Sequence, residues 1–165
     1  MRVGDRAAEI KGIFYTHCRE IIDGSPAFKI NESKNQKNCG AVSEKMKLID
    51  GSLINFFEII VDGNIHEYSY EFVRTDTGFF FHYQNEGIDE GVRKPLNHLH
   101  VGIKKVADKK LLDILPDELI EHGGPHYMAP EMKFNDFMGM IIVNYFDNHK
   151  NRNRMMKALG LLIKE

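Results

Sequence analysis

Three turn signals, Asp50-Gly51, Asp62-Gly63-Asn64 and Asp76-Thr77-Gly78, punctuate the middle of the chain at nearly even intervals, with β-branched and aromatic runs between them. Such pairs supply the positive φ that tight hairpins require, so the chain is expected to reverse at each signal and build an antiparallel meander. The expected strands span 44–49, 53–61, 65–74 and 79–84, with a fifth at 98–104. In the third, His66, Tyr68, Tyr70 and Phe72 share one face, an aromatic row suited to packing. Residues 79–83 are apolar on both parities apart from His82, which predicts a central strand covered on both faces and makes His82 a hydrogen-bonded interior histidine.

Helical periods flank this region. Ala7, Ile10, Phe14, Cys18, Ile21 and Ile22 recur at helical spacing, so an amphipathic helix is expected over 5–23, stopped by Gly24-Ser25-Pro26. The stretch 31–40 is polar and rich in turn formers, and reads as a connector. After the sheet region at 44–104 comes a helical region over 109–163. A short helix there ends at Gly123-Gly124, and Phe134, Phe137, Met138, Ile141, Ile142, Tyr145 and Phe146 mark a core-facing stripe. The phase resumes at Met155, Met156, Leu159, Leu162 and Ile163. A chain of 165 residues suits one core. The expected architecture is therefore a single α+β domain over 1–165. It is a curved antiparallel meander of about five strands packed against a long C-terminal helix, plus an N-terminal helix.

A net charge of −2, from 22 basic and 24 acidic residues, gives no bulk attraction to nucleic acid or anionic membrane, so any such contact must be local. The basic run 150–157 reads as a solvated helix face. No apolar run reaches the length of a membrane span, and the first residues lack the apolar segment of a secretory signal. A cytoplasmic protein with no membrane partner is expected. Cys18 and Cys39 read as free thiols, and His17 beside Cys18 points about 100° away on a helix, so no catalytic cysteine is expected.

Chemistry concentrates in Pro95-Leu96-Asn97-His98-Leu99-His100-Val101-Gly102. In an extended strand Leu99, Val101 and Ile103 form an apolar row that is expected to be buried, while His98 and His100 are presented together on the other face. Imidazole transfers protons near neutral pH and ligates metals, so His98 and His100 are the candidate catalytic residues. Three readings stand. Proton transfer without any cofactor ranks first. A metal-dependent hydrolase, completed by Glu86, Asp89, His122 or His126, ranks below it because no helical His-Glu-x-x-His cassette is present, so no metal is expected. A non-catalytic module binding through a sheet edge or the last helix is the main alternative, ahead of the metal-dependent reading.

The order of features resembles the TumE-type toxin domain of prokaryotic toxin–antitoxin modules. The likeness covers about residues 45–146. It rests on the strand–turn–strand run 46–63, Tyr68-Ser69-Tyr70-Glu71-Phe72, the aromatic strand 79–83, the Pro95…His98-Leu99-His100 signature and the helix at 134–142. The resemblance implies an antitoxin partner and action on RNA. It implies that His98 and His100 share the acid and base roles of RNA cleavage, that Arg93 or Lys94 holds phosphate, and that Tyr83 orients it.

Overall fold

The computed structural model describes residues 1–25, 28–85, 95–104, 116, 119–120 and 126–161. The turn signals do what their chemistry demands. At Asp62 and Gly63 the backbone takes φ of 49° and 79°, a left-handed pair that carries β4 (Leu53–Val61) into β5 (Asn64–Val73). Upstream lie β1 (Ile22–Asp23), β2 (Lys29–Glu32) and β3 (Gly40–Leu48), and downstream β6 (Phe79–Asn85), β7 (Asn97–Ile103) and β8 (Tyr127–Met128). All pair antiparallel in one open sheet of order β1-β3-β4-β5-β6-β7-β8, with β2 also on β3. The meander is thus longer than the expected five strands. Part of the polar connector forms β2, fully exposed and held by pairing with β3 rather than by burial.

The N-terminal helix is shorter than its apolar period suggests. Regular α1 (Val3–Gly12) gives way to one π-helical turn over Ile13–His17, closed by Cys18 N–H to the Ile13 carbonyl at 2.8 Å, then a 3-10 turn over Arg19–Ile21. Ile13, Phe14, Cys18 and Ile21 are all buried in the core. Burial, with a smaller push from Glu20, raises the Cys18 thiol to about 12, so it stays protonated.

The expected long C-terminal helix is two helices, α2 (Phe134–Tyr145) and α3 (Arg152–Ala158). The polar run between them satisfies its backbone in tight turns, His149 N–H to the Phe146 carbonyl and Arg152 N–H to the His149 carbonyl. The chain bends, and Met155, Met156 and Leu159 reach the same core as Phe134, Phe137, Met138, Ile141 and Ile142. The helix expected within 109–121 lies almost wholly outside the described residues.

One face of the sheet carries the main core. Val42, Met46, Leu48, Ile54, Phe56, Ile60, Tyr68, Tyr70, Phe72 and Phe81 turn toward the helices. Phe134 is the hub, its ring meeting Phe14, Phe56 and Tyr70 at centroid distances of 5.4, 4.9 and 5.3 Å. A fully buried charged group is set into this face. Glu58, on the same parity as Ile54 and Phe56, is fully buried and accepts from Arg6 Nε at 2.7 Å, Arg6 Nη2 at 2.6 Å and the Tyr70 hydroxyl at 2.5 Å. Burial, and then the Glu58 charge, push the Tyr70 hydroxyl well above its ordinary value, so it remains a donor.

The second face is also covered near β6 and β7, as the two-sided apolar pattern of 79–83 implied: Phe80 and Phe81, on opposite faces, are both buried. Returning chain supplies that cover. Ile120 bridges Ile103 in parallel, and a Cβ on Gly102 would lie 2.4 Å from the Leu119 carbonyl oxygen, so only glycine fits there.

Candidate functional site

The hairpin register of β6 and β7 builds the site. It sets Gln84 opposite His98 and His82 opposite His100, and strand alternation puts all four on the second face. The other side of β7 carries Leu99 and Val101, half-buried against the main core. Burial is the reverse of the expected display, since His98 and His100 are only 0 % and 2 % exposed. The expectation treated the histidine face as open, and the returning chain over the second face is what closes it.

Hydrogen bonds fix the protonation of His98. Its Nδ1 lies 2.8 Å from the Pro95 carbonyl, which can only accept, so the proton sits on Nδ1 and Nε2 keeps a lone pair. The Gln84 amide nitrogen, a donor, lies 2.9 Å from that Nε2 and 3.1 Å from His100 Nε2. One amide nitrogen therefore bridges the two imidazoles, whose Nε2 atoms are aimed at nearly one point. Exposed His126, just before β8, completes the group, its ring centroid 4.9 Å from that of His98 and 4.4 Å from that of His100. One ligand atom from each of the three lies within 4.8 Å of the others.

A polar row continues inward across the strands. In register with His100 lie His82, Glu71 and Asn55. His82 Nε2 hydrogen-bonds Ser69 Oγ at 2.6 Å, the bonded interior histidine that the sequence suggests. Glu71 takes Lys104 Nζ at 2.6 Å and Asn55 Nδ2 at 2.5 Å. Burial opposes the Glu71 charge, but those two donors outweigh it and hold the carboxyl below its usual value.

Comparison with protein-family models, with curated proteins and with solved structures finds no match. Function has to be argued from this site.

Of the residues proposed from the sequence, His98 and His100 stand together, and His126 joins them as the metal reading required. Tyr83 does not. Its parity is odd to theirs, and it pairs with Tyr70 and Leu99 on the helix face, its hydroxyl pointing to Met140 Sδ at 3.8 Å, with burial raising its pKa. Arg93, Lys94, Glu86, Asp89 and His122 lie outside the described residues. Sequence reasoning missed Gln84. Its signal is the pairing of His82-x-Gln84 with His98-x-His100 across a hairpin, which becomes visible only once the register is known.

Proposed function

We propose that the chain is a toxin-like, RNA-cleaving hydrolase of a toxin–antitoxin module, with its reacting centre at the histidine cluster of the second face. The observation that carries this reading is the convergence of the His98 and His100 Nε2 lone pairs beside solvent-exposed His126. Two strand histidines brought to one point beside an exposed third are arranged for proton abstraction, which RNA cleavage needs at its nucleophile. The resemblance of 45–146 to the TumE-type domain supplies RNA as the substrate class and an antitoxin as the partner. No helix among the described residues is long and apolar enough to cross a membrane, which agrees with a substrate met in water.

The geometry alters how the pair would share the work. The Gln84 amide nitrogen contacts both Nε2 atoms alike, so it does not single out one imidazole as the acid and the other as the base.

A second reading, a non-catalytic interaction module, draws on the exposed strand β8, where Met128 is 85 % exposed. Overexpression separates the two. Wild-type chain should arrest growth and degrade total RNA, and the His98→Ala/His100→Ala double variant, matched for folded protein, should do neither. Equal arrest by both proteins would end the hydrolase reading in favour of the binding module.

A further inference from the structure

We propose that His98, His100 and His126 together bind one divalent first-row transition-metal ion, with zinc the best match. The inference deepens the hydrolase reading, on which it rests for the role of the cluster but not for the binding itself. Three independent observations point to it.

The first is convergence. The donor atoms already lie within 4.8 Å of one another. Zinc–nitrogen bonds of 2.0–2.1 Å in a tetrahedron place nitrogens about 3.3 Å apart, a closure that small side-chain rotations achieve. The second is orientation. His98 donates its Nδ1–H to the Pro95 carbonyl at 2.8 Å, the backing that fixes the tautomer of a metal-ligating histidine and turns Nε2 toward the cluster. The amide of Gln84 stands between the His98 and His100 lone pairs, where the ion would sit, so the amide has to swing aside when the ion enters. The third is donor chemistry. Three neutral imidazoles suit zinc, copper, nickel or ferrous iron, and are poor partners for magnesium or calcium, which require oxygen.

His98 and His100 are anchored on a sheet strand, and His126 is carried by the returning chain at the solvent side. The ion would therefore clip the second cover to the sheet. The described residues supply three ligands, and a water in the fourth position would give the arrangement of catalytic zinc. The ion would also supply the positive charge that two neutral imidazoles lack. In hydrolysis, the oxygen of that water forms a bond to phosphorus, the bond from phosphorus to the leaving ribose oxygen breaks, and the water's proton passes to the leaving oxygen.

The test uses the full chain, stripped with chelator and dialysed, then titrated with Zn2+ by calorimetry and with Co2+ by visible absorption. Wild type should bind one ion per chain and give the intense visible bands of tetrahedral cobalt. His126→Ala, at an exposed position that spares the fold, and His98→Gln should each weaken binding at least tenfold. His66→Ala, at an exposed histidine away from the cluster, should bind as wild type does. Absence of stoichiometric binding, or affinity unchanged in both cluster variants, overturns the proposal. RNA cleavage is followed in the same samples. A chain that binds one ion through the cluster but leaves RNA intact sustains the metal site and ends the hydrolase reading. A chain that cleaves RNA in excess chelator and binds no ion overturns the metal site and leaves the hydrolase reading standing.

Discussion

Glu58→Ala is expected to destabilise the protein by about 3–5 kcal/mol, enough to consume much of the stability of a domain this size. The loss is larger than that of one hydrogen bond because of what remains behind. Arg6 is 7 % exposed, and three of its contacts with carboxylates offset its burial, two of them to Glu58 and one from Nη1 to Glu9 at 2.8 Å. Without Glu58 the guanidinium keeps one partner, itself half in solvent, and the Tyr70 hydroxyl loses its acceptor. Removing the whole network is a different matter. The Arg6→Met/Glu58→Leu/Tyr70→Phe triple variant should recover to within about 1 kcal/mol of wild type, since buried ion pairs often contribute little beyond their own desolvation. Urea unfolding of the three proteins measures both numbers. A single-variant loss below about 1 kcal/mol would mean that water reaches the pair and that the sheet–helix interface is looser than described.

Phe134→Ala should cost a similar amount, about 3–5 kcal/mol, for an unrelated reason. Phe134 opens α2 and is buried to 1 %, and its ring bridges the π-helical turn after α1 through Phe14, the sheet through Phe56 and Tyr70, and its own helix through Phe137. Four aromatic neighbours cannot collapse into the vacated volume without leaving their own contacts, so the cavity persists and its cost adds to the lost transfer energy. Phe134→Leu should recover more than half of the loss. Thermal or urea unfolding decides, and a loss under about 1 kcal/mol would contradict the placement of this ring at the centre of the core.

Residues with strong local chemistry could be read from the sequence. Strand 53–61 was legible to the residue, because turn signals bound it on both sides, and the stripe from Phe134 to Tyr145 announced its helix by period alone. Glu58 was visible as an interruption of an apolar strand, and its parity with Ile54, Phe56 and Ile60 was the sign that it faces inward. Elements stabilised by pairing were not legible. Lys29–Glu32 has neither alternation nor burial, and becomes a strand only because Ala41 and Ser43 on β3 lie opposite Asn31 and Lys29. The division of the C-terminal helix was hidden for another reason, since the apolar phase of Met155 and Leu159 continues that of Ile141 and Ile142 across a polar break.

The site divides the same way. Alternation alone put His98 and His100 on one face. It could not say that this face would be the more buried one, because that depends on Leu119 and Ile120 returning beside β7. Nor could it place Gln84, 14 residues from His98 in the chain, between the two rings. Tyr83, adjacent in sequence to both His82 and Gln84, faces the opposite layer for the same reason of alternation.

The most direct test of the histidine cluster as a reacting centre is cleavage of RNA by the purified full chain, wild type against His100→Gln, with the unfolding midpoint of each measured on the same preparation. Loss of a group that takes up a proton or holds the reacting ion should reduce the rate by about 10²–10⁴-fold while the midpoint stays near that of wild type. Equal rates in the two proteins, or cleavage lost only in proportion to unfolding, would contradict the account and leave His98, His100 and His126 as a structural cluster.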